Sequence, residues 1–327
     1  MTIQEIAEKA GVSLATVSRV INNYPYVNKV TRAKVLKVLS DNNFVPNETA
    51  RSLATNTSKM IGILIADIRT THHTEAVYYI EHEFNKNGYS CLIYDTGTNP
   101  EDQKRYIQIL SQRKVEAAVL IGSVYQNTTV QNAIMIYLPN TPVAICNGYL
   151  DGPNIYGVIA DELDGVRDAV RVLSERGKRN FRFINSQNTP SAQAKIRGFE
   201  DGCRLYADGH GSVLQCGDTP KDIMQATKDA MSVSPRPDVL IFAEDYLAFV
   251  GMHALVEERI NVSSDVAVVG INNSRYGEIS NPALTSIDNM LFDVCTMCAR
   301  NLINVLSGER VNHKMIITCE FVERATT

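Results

Sequence analysis

Val12-Ser13-Leu14-Ala15-Thr16-Val17-Ser18-Arg19-Val20-Ile21-Asn22 is the stretch on which the reading of this chain turns. Ser13 is a good helix N-cap. Val17, Val20 and Ile21 recur at the i, i+3, i+4 spacing of a helix with one buried face. The opposite face carries Leu14, Ala15, Ser18, Arg19 and Asn22: one strong donor, small residues and a leucine. Upstream, Thr2 and Glu5 have capping-box spacing. Ile3, Ile6, Ala7 and Ala10 share a face, and Gly11 supplies the left-handed stop that a tight interhelical turn needs. The segment therefore predicts a helix-turn-helix. On its second helix Arg19 suits a guanine edge and Leu14 a thymine methyl, while the Thr16 hydroxyl suits a phosphate. Thr31 is expected to cap a third helix running to about Asn42. Val35, Leu36 and Leu39 should face inward there, with Lys34 and Lys37 solvated or near phosphates.

A second block, Val45-Pro46-Asn47-Glu48-Thr49-Ala50-Arg51-Ser52-Leu53-Ala54, follows. Pro46 forces an extended approach from Val45, and Asn47 can cap a two-turn helix over Glu48 to Ala54. Isolated helices below ~12–15 residues are marginal in water, so this one is expected to form only against a partner. Leu53 is its one large apolar residue, and a minor-groove base step wedged open by an apolar side chain is a surface that could receive it. A plain three-helix mini-domain followed by a plain linker is the competing interpretation. Thr55-Asn56-Thr57-Ser58 does have linker composition.

Charge distribution favours nucleic acid. The whole chain of 327 residues carries −4, which alone would argue against it. Residues 1–59, however, hold eight Lys/Arg against four acids, a net +4, which leaves −8 on the remainder. A basic head on an acidic body fits phosphate binding by the head only. The length calls for two or three domains. The N-terminus does not read as a signal peptide, and no apolar run approaches the roughly 18 residues of a membrane span, so a cytoplasmic location is expected. The seven cysteines are scattered, as reduced core thiols would be. Cys295-Thr296-Met297-Cys298 matches C-x-x-C but falls in a predicted helix without redox context.

The patterns V-S-x-x-T-V-S-R-V-x-N at Val12–Asn22 and Y/F-x-P-N-x-x-A-R-x-L-A at Phe44–Ala54 closely resemble the LacI/GalR type of transcriptional regulator. The similarity extends over the whole chain. It implies a repressor-like homodimer on a near-palindromic operator, controlled by a small-molecule effector. Leu14, Ala15 and Arg19 match the family's base-reading positions, and Leu53 its hinge-helix leucine. The candidate DNA contacts are Ser13, Leu14, Ala15, Thr16, Ser18, Arg19, Asn22, Thr31, Asn47, Ala50 and Leu53.

From Met60 apolar runs alternate with amphipathic stretches: Ile61–Ala66, Cys91–Asp95, Ala117–Gly122, Val143–Asn147, Val158–Asp161, Phe181–Asn185, Val213–Cys216, Val239–Ala243 and Val266–Ile271. Near-continuous Val/Ile/Leu strands separated by helices argue for parallel sheets covered on both faces, in two doubly wound lobes. Ligands of such sheets bind outside the carboxyl ends of the strands, which makes Asp67, Ser123, Asn147, Asp161, Asn185, Asp218, Glu244 and Asn272 candidates. The expected fold is an all-α helix-turn-helix head with a hinge helix, joined to an α/β two-lobed periplasmic-binding-protein-like body. The expected boundaries are 1–46 for the head, 47–59 for the hinge and 60–327 for the body. Lobe one would take about 60–158 and 289–320, and lobe two about 159–288 and 321–327.

Departures from the resemblance single out the effector site. Lys195 stands before Gly198-Phe199 where many sugar-binding members have arginine, and lysine is a point charge rather than a bidentate fork. Asn147 and Asn272 replace frequent aspartates, Glu244-Asp245 replaces an Asn-Asp pair, Thr219 replaces an aromatic, and His72 and His73 stand where aromatics are frequent. The candidate effector residues are thus Asp67, His72, His73, Asn147, Lys195, Thr219, Glu244 and Asn272. They disfavour an ordinary hexose site and favour an unusual small molecule over control by a protein partner. A soluble ligand-binding receptor without DNA activity is the alternative from another class. No phosphate loop, dinucleotide fingerprint or nucleophile elbow appears, so no enzyme, cofactor or metal is expected. His72, His73, Glu75 and His82 match no standard metal spacing and read as surface histidines. With no heptad tail, a dimer is expected rather than a coiled-coil tetramer.

Overall fold

Thr2 and Glu5 cap one another reciprocally. Thr2 N–H donates to Glu5 Oε2 at 2.8 Å and Glu5 N–H to Thr2 Oγ1 at 3.3 Å, opening α1 (Ile3–Ala10). Gly11, at φ 59°, ends it in the left-handed region. Ser13 Oγ accepts from Thr16 N–H at 3.2 Å at the start of α2 (Leu14–Ile21). The third helix, α3 (Lys29–Asp41), is capped by Asn28, whose side chain accepts from Val30 N–H at 2.9 Å. This corrects the cap expected at Thr31. Asn is at least as good a cap as Thr, and starting there places Thr31 inside the first turn. Ile6, Ala7, Ala10, Val17, Val20 and Val35 form the core of this unit, with Val38 and Leu39 packed against it. Leu36 is 49% exposed, not inward as expected. Val35, Val38 and Leu39 already take the i, i+3, i+4 positions, and the residue after Val35 is turned about 100° off that face.

The structure is a computed structural model that describes residues 2–21, 24–44 and 57–327. The chain divides into Met1–Ser58 and Lys59–Thr327. The second unit runs β1 (Met60–Ile65), α4 (Thr71–Lys86), β2 (Ser90–Asp95), α5 (Pro100–Gln112), β3 (Ala117–Ile121), a 3-10 turn (Ser123–Tyr125), α6 (Thr128–Tyr137), β4 (Val143–Cys146) and β5 (Ile155–Asp161). It continues with α7 (Glu162–Glu175), β6 (Phe181–Asn185), α8 (Pro190–Tyr206), β7 (Gly211–Gln215), α9 (Pro220–Ser232), β8 (Val239–Phe242), α10 (Asp245–Glu257) and β9 (Ala267–Ile271). Last come α11 (Arg275–Ile279), β10 (Thr285–Asp288), α12 (Leu291–Leu306), β11 (Lys314–Thr318) and β12 (Glu320–Val322).

The strands form two six-stranded sheets, ordered β11-β5-β4-β3-β1-β2 and β12-β10-β9-β8-β6-β7. All pairings in the first are parallel. In the second, only β12 against β10 is antiparallel. The central strands β3, β4, β8 and β9 are buried on both faces, which is why they read as uninterrupted apolar runs. Strands β11 and β12 are edges with only half-buried side chains, and their apolar signal is correspondingly weak.

The chain passes between the sheets three times: after β5, after β10 through Met290 (φ 55°), and at Cys319 between β11 and β12. Strand β5 stays in the first sheet through Asp161, paired with Thr318, three residues beyond the crossing expected near 158. In each sheet the strand order reverses once, between β1 and β3 and between β6 and β8. Those are the points at which an open α/β sheet leaves a crevice at its carboxyl ends.

Candidate nucleic-acid interface and candidate ligand cleft

Helix α2 buries Val17 and Val20 completely or nearly so, and this fixes which face looks outward. Leu14 is 46% exposed, and Ala15 and Arg19 are exposed beside it. Ser13 and Thr16 hydroxyls lie 2.9 Å apart at the helix start, so the cap orients both. Ser18 is half-buried on the same helix. Thr31 is half-buried in the first turn of α3. Asn22, Asn47, Ala50 and Leu53 lie outside the described residues. Two neighbours escaped the sequence reading. Tyr24 and Tyr26 are 54% and 91% exposed and line a surface hollow with Arg19. Tyr24 N–H donates to Arg19 O at 2.9 Å, and the Arg32 guanidinium donates to Tyr24 O. The loop's aromatic content was the signal available in the sequence. A tyrosine beside an arginine offers both a stacking face and a phosphate-binding hydroxyl.

The two lobes meet around a buried polar cluster. Gly198 on α8 lets that helix press against the start of α7: a Cβ there would lie 2.1 Å from Leu163 O. Gly202, one turn on, faces Val170 in the same way. This close seam brings Lys195, one turn before Gly198, onto Glu162, the first residue of α7. Lys195 Nζ is 3.3 Å from Glu162 Oε1 and donates to Ala243 O at 3.1 Å. The Lys195–Glu162 contact is an ion pair without hydrogen-bond alignment, since Glu162 Oε1 has no hydrogen-bond partner. Glu162 Oε2 accepts from Ser191 Oγ, and Ser191 N–H donates to Ser123 Oγ of the first lobe at 3.0 Å. Glu162 had no distinguishing mark in the sequence. It is one acid in Asp161-Glu162-Leu163-Asp164, and only the helix seam selects it.

His72 and His73, from α4 of the first lobe, face this cluster. The His73 ring takes Asp67 O as the partner of Nδ1 at 2.9 Å, with Nε2 directed towards Gly122. His72 Nδ1 is enclosed and has no hydrogen-bond partner. Burial first, then the His73 and Lys195 charges, push the His72 imidazole down to about 3, so it is neutral at ordinary pH. His72 is therefore not the surface histidine expected, whereas His82 is exposed and stacks on Tyr78. Glu244, at the end of β8, has its carboxyl pushed up by burial, opposed by Lys195 and His73. Its neighbour Asp245 is 1% exposed and accepts from Ser286 Oγ at 2.6 Å and from Ser274 N–H and Oγ at 2.6 and 2.9 Å. Burial still holds Asp245 up at about 6.

The other candidates are placed differently. Asp67 is chelated by Arg69, Nε to Oδ1 at 2.9 Å and a terminal nitrogen to Oδ2 at 2.7 Å, and this hydrogen bonding lowers its carboxyl to about 2. Asn147 (φ 57°) spends its side-chain oxygen on Ala160 N–H at 3.1 Å, tying β4 to β5. Asn272 (φ 105°) accepts from Asn289 at 2.9 Å beside the second crossing. Thr219 is exposed and caps α9 by accepting from Asp222 N–H. The cleft thus brings together Lys195, Glu244, His72 and His73, and Asn147, Asn272 and Thr219 are engaged with this chain's own backbone or neighbours.

All seven cysteines are free. Cys295 and Cys298 on α12 are buried against Cys146, with Cys146 and Cys295 sulfurs 3.4 Å apart. Among the described residues no group of three or more His, Cys, Asp or Glu is arranged to hold a metal ion. None of the described helices is long and apolar enough to cross a membrane.

Residues 2–47 match the lacI family of bacterial regulatory proteins, and residues 170–327 match the periplasmic binding protein-like domain. The chain is 32% identical over its whole length to an HTH-type transcriptional regulator of Lachnoclostridium phytofermentans, covering 99% of that protein. It is 26% identical to the HTH-type transcriptional repressor PurR of Haemophilus influenzae, over 96% of this chain and 92% of the repressor. A crystal structure of the Lac repressor dimer bound to operator and the anti-inducer ONPF superposes with a TM-score of 0.90 at 23% identity, covering 100% of this chain and 98% of that one.

Proposed function

Because the chain belongs to the LacI family of bacterial regulatory proteins, DNA-binding transcriptional regulators rather than enzymes, we propose that it is a repressor binding a two-fold symmetric operator as a homodimer, released or strengthened by a small molecule in the interlobe cleft. The observation that carries this reading is the outward face of α2. Arg19, Leu14 and Ala15 are held exposed by a helix whose other face is fully packed. An arginine on such a face can pair with a guanine edge and a leucine can meet a thymine methyl, with Ser13, Thr16, Ser18, Asn22 and Thr31 on or near the backbone. Asn47, Ala50 and Leu53 complete the contact if the hinge segment folds in the minor groove with Leu53 as its wedge.

Two further observations support the wider reading. In lobe one, Tyr78 and Phe292 are 62% and 56% exposed, and Tyr79 packs edge-on against Phe292. Such an aromatic patch suits self-association, and the Lac repressor to which the fold is similar was crystallised as a dimer on operator. In the cleft, the interlobe contact Ser191–Ser123 and the ion pair Arg275–Glu75 (3.2 Å) must rearrange when the lobes move. An effector shifts DNA affinity only by binding the two lobe arrangements unequally.

Selection of bound duplexes from a random pool by the full-length chain tests the operator reading. A two-fold symmetric consensus is expected, and bound sequences without symmetry would contradict dimeric reading. Leu53→Ala should weaken operator binding without altering ligand binding. A thermal-shift screen of sugars, sugar phosphates, nucleobases and amino acids tests the effector reading, because a bound ligand raises apparent stability by mass action. Stabilisation lost in Lys195→Met would support the cleft as the site.

A further inference from the structure

The buried cluster at the cleft is uneven in charge. Glu162 and Lys195, 3% and 6% exposed, neutralise one another. Glu244, half-buried beside them, is a second carboxylate, and among the described residues none forms an ion pair with it. It stands at the N-cap position of α10, yet its side chain makes no capping hydrogen bond. The nearby ionisable groups that act on it are Lys195 from α8, His73 from α4 and Glu162 from α7. Lys195 is already shared between Glu162 and the Ala243 carbonyl.

Unmet hydrogen bonding points the same way. Glu162 Oε1 has beside it only the Lys195 ammonium, 3.3 Å away and out of hydrogen-bond alignment. Asn185, fully buried at the carboxyl end of β6 beside β8, also has its Oδ1 unpartnered. Buried polar atoms in native proteins normally have partners, so these acceptors call for donors from outside the chain. At the mouth, Asp67, Asp95 and Asp218 all act on one arginine, Arg69, leaving the rim acidic as well.

Resting on the reading of the cleft as the effector site, we propose that its ligand is a small hydroxyl-rich molecule bearing a protonated amine, with an amino sugar as the simplest such class. The ammonium group pairs with Glu244, and hydroxyl groups donate to Glu162 Oε1 and Asn185 Oδ1. A phosphorylated sugar would bring its charge against a half-buried carboxylate that lacks a cationic partner of its own, and is excluded by the same cluster.

Glucosamine, glucose and glucose 6-phosphate share one ring and differ in charge, and calorimetric titration of the full-length chain with each, at a pH where the amine is protonated, separates the cases. Glucosamine should bind about tenfold or more tighter than glucose, the ratio that one charge-assisted hydrogen bond supports, and glucose 6-phosphate weakest of the three. Glu244→Gln, nearly isosteric, should bring the glucosamine-to-glucose ratio to about one. If that variant does not fold, the wild-type chain still reports: N-acetylglucosamine, whose nitrogen carries no charge, should bind no tighter than glucose. Glucose or its phosphate binding as tightly as glucosamine, or an unchanged ratio in Glu244→Gln, overturns the charge assignment and leaves the cleft reading intact. Binding of none of the three overturns the amino-sugar assignment, and the cleft reading then rests on the broader thermal-shift screen.

Discussion

The outward face of α2 and the polar cluster of the cleft use the same residue types in opposite ways. On α2, Arg19 is exposed and Leu14 is nearly half-exposed. In the cleft, Lys195 and Glu162 are almost wholly buried and neutralise one another. A surface that waits for a polyanion can leave its charge in water at little cost, because exposed charges are well solvated. Charge buried between two lobes cannot, because it must be paired. The head is therefore a ready interface, whereas the cleft must exchange internal partners for ligand partners.

That difference can be broken at either end. The largest effect is expected from Glu162→Ala, which leaves Lys195 buried without its carboxylate. The body should lose about 3–5 kcal/mol, measured by urea unfolding, with no loss in the affinity of the folded chain for random DNA. A loss below about 1 kcal/mol would mean that Lys195 reaches water and that the pair is not a buried one. Next, Arg19→Ala should cost about 1–3 kcal/mol on the operator and relax sequence choice at one base pair, with an unchanged melting temperature. An equal loss on random duplexes would make Arg19 a phosphate contact instead.

The third expectation is a pH dependence. The folded-state value of His72 lies near 3, below its ordinary 6.5, so the unfolded chain takes up the proton first. Stability from this group is full above about 6.5 and is lost as pH falls towards 3, by at most about 1.4 kcal/mol per pH unit. Unfolding at pH 6.5 and 5 should thus differ by up to about 2 kcal/mol more in the wild type than in His72→Asn. Parallel curves would show that the imidazole is solvated. The smallest effect separates two caps. Asn28→Ala should cost the head about 1 kcal/mol, and Thr31→Val only a few tenths, as expected for a site without a cap. The reverse order would restore Thr31 as the cap.

What was legible in the sequence follows the range of the interactions. The capping box at Thr2 and Glu5, the Gly11 stop and the Val17/Val20 face are separated by three or four residues, and local periodicity reveals them. Parallel strands buried on both faces announce themselves as apolar runs. The edge strand β11 does not, because half its side chains face outward. Asn28 and Thr31 are both good caps, and nothing within the turn ranks them. The cleft was only partly legible. Lys195, Glu244, His72 and His73 were found at strand ends or by departure from the family pattern. Their partner Glu162 lies 33 positions from Lys195, and Ser123 lies 68 from Ser191. Such pairs are set by the packing of glycine seams such as Gly198 on Leu163, which no short window of sequence contains.

The proposed function requires that this chain read a particular DNA sequence. Its most direct test is a titration of the full-length protein on the DNA upstream of its own gene, against a shuffled duplex of equal length and composition at the same salt. The native duplex should be bound at least about 10³-fold more tightly. Equal affinity for the two would contradict it.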